Sequence, residues 1–256
     1  MRGERLHEGK PSAKRVAPGP GGREDVTVTL FEDADVLALD KLAGVSMATS
    51  SAAGSSEGEV VARLLSACGR PPDASLRLVH RLDVGTSGVV LLARGDAAHR
   101  TLSAAFQEGR VRKTYRALVW GRPSPAAGVY EDPLGRDVRD GRRMAVRKDG
   151  KRAVTRYRTL ASVQSLADLE IQPETGRTHQ IRVHLSAHGH PIAGDDLYGA
   201  ATRWRTVANP LARSAIAKLT RPLLHAGRIE IPDMSIDVAA PLPDDYARLL
   251  EALAES

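Results

Sequence analysis

Residues 76–93 read LRLVHRLDVGTSGVVLLA, two apolar stretches separated by a turn that contains two glycines. The aliphatic residues on either side predict strands over residues 76–80 and 89–93. The turn between them presents a carboxylate, Asp83. One interpretation is an acid that caps the backbone amides of its own turn. The other is a nucleophile or general base held rigidly at the edge of a sheet, and the residue types alone leave both open.

The sequence around this stretch predicts a chain with many strands and few helices. Asp96 and Thr178 are predicted N-caps of two helices, and Gly189 is a predicted C-terminal glycine. Because strands and helices do not alternate regularly, we predict an α+β fold with a mixed, largely antiparallel central sheet flanked by helices and loops. Further strands are predicted over residues 26–31, 35–40, 113–120, 153–159, 166–171, 223–231 and 235–239, and helices over 59–67, 96–107, 178–187 and 244–254.

Composition predicts one folded domain preceded by a basic arm. The chain is 42% apolar and 27% charged, which is ordinary for a globular protein. Residues 1–24 are rich in glycine, proline and charge and lack hydrophobic periodicity, which predicts a flexible arm in front of a domain over residues 25–256. The arm does not resemble a secretory signal and the apolar runs are too short to span a bilayer, so we expect a cytoplasmic protein.

Positive charge is concentrated in one internal segment. The formal net charge is +6, and residues 136–158 hold ten Lys or Arg against three Asp. Such a segment favours a polyanion partner such as a nucleic acid, although a solvated surface can have the same composition. The single cysteine, Cys68, excludes a disulfide within the chain and a cysteine-based zinc cluster.

A second group of polar residues lies in residues 173–185, PETGRTHQIRVHL. A strand end, a glycine turn and a helix start are crowded there with hydrogen-bond donors, which suits an anion or a carboxylate partner. His184 and His188, four residues apart, raise the alternative of a metal site. Because no cysteine and no patterned carboxylates complete a ligand shell, we expect packed or surface histidines and no metal.

A third group is residues 113–121, KTYRALVWG, in which Tyr115 lies between Lys113 and Arg116 on a predicted strand. Tyr115 could belong to the core. Aromatic residues make up only 4% of this chain, however, and a tyrosine between two cations is also a suitable platform for an unstacked base. Both interpretations stay open on the residues alone.

Taken together, these segments resemble the RluA-type RNA pseudouridine synthases, whose characteristic stretches are similar to HRLDVGTSG, KTYRALVWG and PETGRTHQIRVHLSAHGHPIAGD here. The resemblance implies a pseudouridine synthase-like fold, with residues 25–256 as the catalytic domain. It also implies isomerisation of uridine to pseudouridine in ribosomal or transfer RNA, without a cofactor or a metal. One departure is Lys41-Leu42-Ala43-Gly44, where the family has Lys-Pro-x-Gly, and this departure puts the local loop in doubt.

The resemblance also implies roles for individual residues. Asp83 becomes the essential catalytic carboxylate, and Arg182 pairs with it and keeps it ionised. Tyr115 stacks on the uracil, and Arg81 fills the space that the target base leaves when it flips out. The residues expected to contact the substrate are His80, Arg81, Thr86, Arg177, His179 and Gln180.

Two other functions are compatible with parts of the pattern. An RNA-binding protein of the same fold without catalysis would need only the charge, but the joint presence of Asp83, Tyr115 and Arg182 argues against it. A glycoside or nucleoside hydrolase would also use a carboxylate at an anomeric carbon, but such enzymes usually use two. The resemblance further implies a monomer and a short form without the S4-like RNA-binding domain of many relatives.

Overall fold

A computed structural model describes residues 14–15, 27–49, 56–199 and 202–254. The helices are α1 (Glu57–Ala67), α2 (Gly95–Gln107), α3 (Gln180–Ala187), α4 (Pro210–Ala217) and α5 (Asp244–Ala254). The strands are β1 (Lys14–Arg15), β2 (Val28–Glu32), β3 (Val36–Lys41), β4 (Leu76–Leu78), β5 (Ser87–Arg94), β6 (Arg112–Trp120), β7 (Ala127–Tyr130), β8 (Leu134–Arg136), β9 (Met144–Val146), β10 (Thr155–Val163), β11 (Leu166–Pro173), β12 (Leu224–Ile231) and β13 (Ile236–Ala239).

In the described part of the chain, eleven strands form one sheet in the order β1-β2-β3-β5-β12-β6-β11-β10-β7, with β4 beside β5 and β13 beside β12. The strands β8 and β9 form a separate hairpin. The pairing of β5 with β12 is parallel and the other strand pairs described are antiparallel. Glycine is required at residue 88 for this parallel pairing, because the Cβ of any other residue there would lie 2.2 Å from the carbonyl oxygen of Ala226.

Helices cover both faces of the sheet at β5, which explains the unbroken apolar run in this strand. Val89 and Leu91 pack on one face with Leu102 of α2, whereas Val90 and Leu92 pack on the other face in the cluster that contains α1. A third cluster joins β6 and β11 to α4 and α5. The turn that follows β4 and carries Asp83 is therefore anchored at a strand that is packed on both sides.

The fold-class prediction is confirmed, and most predicted elements are present within a few residues of their observed bounds. Both predicted N-caps are wrong: α2 starts one residue before Asp96 with Arg94 at the cap, and α3 starts later than predicted with His179 at the cap. Gly189 does follow the end of α3 with a positive φ of 86°. Helix α4 was not predicted, although Asn209 and Pro210 supply its cap and first turn.

The predicted basic arm lies outside the described residues except for β1, which pairs with β2. The boundary between the arm and the domain stays a prediction. The Ser/Gly-rich part of the loop before α1, residues 50–55, also lies outside them. Among the helices of the described ranges, none has the length and apolar character needed to cross a membrane.

Candidate active site

A cavity with a volume of about 760 Å³ lies where the predicted polar segments meet. The Asp83 turn forms one wall, β6 contributes Lys113 and Tyr115, and the segment from residue 173 to residue 182 forms a further wall. The end of α2 and residues 46–48 complete the lining. All nine residues predicted for the site line this cavity: His80, Arg81, Asp83, Thr86, Tyr115, Arg177, His179, Gln180 and Arg182.

Asp83 lies in a hydrogen-bonded turn, in which its carbonyl accepts from the backbone N–H of Thr86 at 3.0 Å. Its side chain is 25% exposed, and the contact described for the carboxylate is with Arg182. Within the described residues the carboxylate accepts no hydrogen bond from a backbone amide, so the capping interpretation does not hold there. The acid is available to a molecule in the cavity.

Lys41 supports the Asp83 turn through hydrogen bonds to backbone carbonyls, and the sequence did not predict these contacts. It is fully buried, and its Nζ donates to the carbonyls of Leu42 at 2.8 Å and Val45 at 3.0 Å, with that of Val84 at 3.5 Å. Burial lowers the pKa of Lys41 to about 8, while the charge of Asp83 opposes this shift. The atypical Lys41–Gly44 stretch therefore still supports the turn.

Arg182, on α3, lies between two carboxylates and is 8% exposed. Its Nη1 is 3.6 Å from Oδ2 of Asp83. Its Nε and Nη2 donate to Oδ2 and Oδ1 of Asp195 at 2.7 and 2.9 Å. Asp195 is the last residue of the stretch PETGRTHQIRVHLSAHGHPIAGD, and the sequence did not assign it a role. A buried arginine needs a carboxylate partner, so the acids near Arg182 in the sequence were a signal that could have pointed to Asp195.

Tyr115 serves both the core and the cavity. It packs at the border of two apolar clusters and also lines the cavity. Burial, with a further contribution from the charge of Asp83, raises the pKa of Tyr115 well above its ordinary value, so the phenol is neutral. Of its two neighbouring cations, only Lys113 lines the cavity, because Arg116 is paired with Asp168. The predicted pair of flanking cations is thus reduced to one.

His80 and Thr86 differ in how their polar atoms are used. The Nε2 of His80 accepts the backbone N–H of Leu91 at 2.9 Å, and its ring stacks on Phe106 with centroids 4.8 Å apart. Burial, helped by the charge of Lys113, lowers the pKa of His80 to about 3, so the ring is neutral. The buried hydroxyl of Thr86 has no hydrogen-bond partner within the described residues.

The side chain of Gln180 braces the turn before α3 and has no free polar atom for a substrate. Its oxygen accepts from the hydroxyl of Thr175 at 2.7 Å and from the backbone N–H of Arg177 at 3.0 Å. Its nitrogen donates to the carbonyl of Val154 at 2.9 Å and to the hydroxyl of Thr155 at 3.0 Å. Gln180 also lines the cavity, so its contact with the substrate stays a prediction. Arg177, by contrast, is exposed at the rim.

Tyr198 connects the cavity to the β8–β9 hairpin and was also missed. Its hydroxyl lies 2.8 Å from Nδ1 of His179 and accepts the backbone N–H of Met144 at 2.9 Å. Its ring lies against the guanidinium groups of Arg182 and Arg143, with Cζ to centroid distances of 5.0 and 5.3 Å. His179 itself has a positive φ of 54°, and burial lowers its pKa.

The basic segment is partly neutralised by local acids. Four of its ten cations form ion pairs: Arg142 with Asp140, Arg147 with Asp149, Arg156 with Glu174 and Arg158 with Glu170. For the other six no carboxylate partner is described in residues 27–49, 56–199 and 202–254, namely for Arg136, Arg139, Arg143, Lys148, Lys151 and Arg152. Arg143 is half-buried against the ring of Tyr198, whereas the other five are exposed and available to an external anion.

The histidines suggested as metal ligands make other contacts. His184 lies 2.9 Å from the hydroxyl of Thr155, and His188 lies 2.7 Å from the carboxylate of Asp132. Across the part of the chain that is described, no three His, Cys, Asp or Glu side chains are grouped so as to hold a metal ion.

Comparison with known proteins gives a consistent result. Residues 35–187 match the family described as RNA pseudouridylate synthase. An uncharacterized RNA pseudouridine synthase of Chlorobaculum parvum is 34% identical, over 95% of this chain and 78% of that protein. One from Chloroflexus aurantiacus is 44% identical, but the match covers 70% of this chain and only 54% of the relative.

Two further similarities concern a named enzyme and a solved structure. Ribosomal large subunit pseudouridine synthase D of Zymomonas mobilis is 36% identical, over 92% of this chain and 76% of that protein. The solved structure of human RNA pseudouridylate synthase domain containing 4 superposes with a TM-score of 0.71 at 26% identity, covering 89% of this chain and 93% of that chain.

Proposed function

The chain belongs to the RNA pseudouridylate synthase family, and we propose that it isomerises uridines in RNA to pseudouridine, with Asp83 as the essential carboxylate and without a cofactor. The observation that carries this assignment is a partly exposed Asp83 in a large cavity, 3.6 Å from a buried arginine. The other acid that lines the cavity, Glu174, is paired with Arg156. A second free carboxylate, which a hydrolase would use, is therefore missing from the described lining.

The reaction breaks the bond between the base nitrogen and the ribose, turns the uracil, and joins its C5 to the sugar. C5 loses its proton in this step, and the freed base nitrogen gains one. It needs a nucleophilic or basic carboxylate, a nearby cation and a pocket that shields the detached base. Asp83 supplies the carboxylate, and Arg182 supplies the cation 3.6 Å from it. The neutral phenol of Tyr115 offers an aromatic face to the uracil and a proton at the ring edge. The atoms of the substrate are conserved, so no oxidant, reductant or group donor is required.

The target uridine must leave its stack before it can enter the cavity, at a cost of a few kcal/mol. Arg81 is exposed beside Asp83 at the cavity wall, and we assign it the role of filling the vacated space. The hydroxyl of Thr86, which lacks a partner in the described residues, would gain one from the bound nucleotide. The remaining proposed substrate contacts are His80, Lys113, Arg177, His179 and Gln180, which all line the cavity.

Phosphate contacts would offset the cost of flipping. The five exposed cations of the basic segment without a described carboxylate partner, together with the neighbouring cavity, form a suitable surface for an RNA backbone. The relatives named for the ribosomal large subunit support ribosomal RNA as the substrate, with transfer RNA as the second possibility. We further propose that the protein acts as a monomer in the cytoplasm.

The direct test uses purified protein with transcripts of large-subunit ribosomal RNA and of transfer RNA. Mass spectrometry of the digested RNA should detect pseudouridine with wild-type protein and none with Asp83→Asn. The exposed acid Asp96 provides a matched control, and Asp96→Asn should retain the wild-type activity. Release of free uracil would indicate a hydrolase, and RNA binding by wild type without either product would indicate the non-catalytic alternative.

A further inference from the structure

The guanidinium of Arg182 makes its better hydrogen bonds to Asp195 and not to Asp83. Two nitrogens donate to the two oxygens of Asp195 at 2.7 and 2.9 Å, whereas the third is 3.6 Å from one oxygen of Asp83. Asp195 is 1% exposed, while the side chain of Asp83 is 25% exposed. The edge of the guanidinium that can form a bidentate pair, Nε with Nη2, therefore faces the buried Asp195. Only Nη1 faces Asp83 in the cavity. Below, the Nε–Nη2 edge is called the two-point edge.

Backbone constraints fix Asp195 in this position. The preceding residue, Gly194, has a φ of 78°, and a Cβ there would lie 2.1 Å from the carbonyl oxygen of Arg221. The carboxylate of Asp195 also accepts the backbone N–H of Tyr198 at 3.3 Å. Because the ring of Tyr198 covers the face of Arg182 at 5.0 Å, both the edge and the face of the guanidinium are held.

The pairing of Arg182 with Asp195 limits how Arg182 can engage Asp83. The charged and titratable groups around Asp83 are Arg182 of α3, Lys41 of β3, Tyr115 of β6 and His179 at the start of α3. A carboxylate and a guanidinium prefer a two-point pair when both are free to form it. An Arg182 without Asp195 would therefore turn its two-point edge to Asp83 and engage both oxygens.

We propose that Asp195 is a positioning residue for the reaction: it holds the two-point edge of Arg182 and offsets its charge, so that Asp83 keeps one oxygen free for the substrate. This inference rests on the proposed function, because it assigns the free oxygen to a uridine in RNA. Asp195 itself does not touch the substrate and acts through Arg182.

A purely structural ion pair would also be buried and costly to break, since removal of one partner leaves an unpaired charge. Loss of stability therefore does not distinguish the two roles. The rate of the chemical step, compared with RNA affinity, does distinguish them, because only the positioning role slows the reaction at Asp83 in a protein that is still folded and still binds RNA.

The test compares wild type with Asp195→Asn, in which the amide oxygen can still accept from Tyr198. Single-turnover rates at saturating RNA are measured at a temperature where circular dichroism shows both proteins folded, and RNA affinity is measured separately. We expect the rate to fall by at least about tenfold, with RNA affinity within about twofold. The loss should appear in the chemical step and not in binding, because Arg182 then engages both oxygens of Asp83.

A wild-type rate in Asp195→Asn, or a reduced rate matched by an equal loss of RNA affinity, would overturn the positioning role. Should the Asn variant not fold, Asp195→Glu keeps the charge but moves the carboxylate. It should be slower than wild type with RNA affinity within about twofold, and a Glu variant as fast as wild type would contradict the proposal. The wild-type rate in the same series tests the proposed function separately, since its failure would appear as no pseudouridine with any protein.

Discussion

At the scale of single residues, the cavity is built from side chains that also stabilise the fold. Tyr115 contributes to two apolar clusters while lining the cavity. His80 accepts a backbone N–H from β5 and stacks on α2 while forming part of the same wall. Substitutions at either position therefore need readouts that separate stability from RNA binding.

The ring of Tyr115 and its hydroxyl can be separated by two substitutions. Tyr115→Phe keeps the aromatic face, so we expect RNA affinity within about twofold of wild type. Tyr115→Ala removes the stacking surface and should weaken binding about tenfold, since stacking of a base on an aromatic side chain is worth roughly 1–3 kcal/mol. Fluorescence anisotropy with the substrate RNA measures both, with Tyr157→Phe as the control. Equal losses in the Phe and Ala variants would contradict the stacking role.

His80 makes stability depend on pH. Its pKa is lowered from 6.5 to about 3 in the folded state, so below pH 6.5 the unfolded chain takes up a proton that the folded protein does not. Stability supplied by the neutral ring is thus present above pH 6.5 and is lost as the pH falls towards 3, by up to about 1.4 kcal/mol for each pH unit.

Urea unfolding at pH 7 and pH 5 measures this effect. Wild type should lose more free energy of unfolding between the two pH values than His80→Gln, whose amide oxygen can still accept the N–H of Leu91 but does not titrate. Equal losses in the two proteins would show that His80 does not cause the pH dependence.

The meeting of Asp83, Tyr115 and Arg182 at one cavity could be predicted because the three stretches that carry them together resemble one family, and their catalytic roles stay proposals. Asp195 and Tyr198 could not be assigned a role, because their contacts with Arg182 depend on how the chain after α3 folds back. For Gln180, the sequence does not show that all its polar atoms are satisfied within the protein.

At the scale of elements, the β8–β9 hairpin joins the basic segment to the cavity. The backbone N–H of Met144 donates to the hydroxyl of Tyr198, and Cζ of Arg143, in the loop between β8 and β9, lies 5.3 Å from the centroid of the same ring. The sequence predicted the positive charge of this segment, but it does not show which cations have partners. Arg139 is exposed without a described carboxylate partner, whereas Arg142 is paired with Asp140.

Arg139 should contribute one phosphate contact. Arg139→Gln should weaken RNA binding and reduce the slope of log affinity against log salt concentration by about 0.7 to 0.9. Arg248→Gln, on α5 and outside both hairpin and cavity lining, changes the net charge equally and serves as the control. Identical salt slopes for Arg139→Gln and the control would show that charge at the hairpin has no special role.

At the scale of the whole molecule, distant parts of the chain meet around the Asp83 turn. The parallel pairing of β5 with β12 is supported by a 3.0 Å contact between the hydroxyl of Ser87 and Nδ1 of His225, 138 residues apart. Helix α5 contacts the sheet through Tyr246, whose hydroxyl donates to the buried carboxylate of Asp168 on β11 at 2.8 Å. The sequence predicted the strands and α5 themselves, but such long-range pairings have no local signature.

The central claim, that this cavity makes pseudouridine through Asp83, is tested most directly in cells that lack the protein. Pseudouridine is mapped in total RNA by mass spectrometry after rescue with wild type or with Asp83→Asn. We predict that specific sites are lost in the null cells, restored by wild type and not restored by the Asn variant. Restoration by Asp83→Asn, or no lost site in the null cells, would contradict the claim.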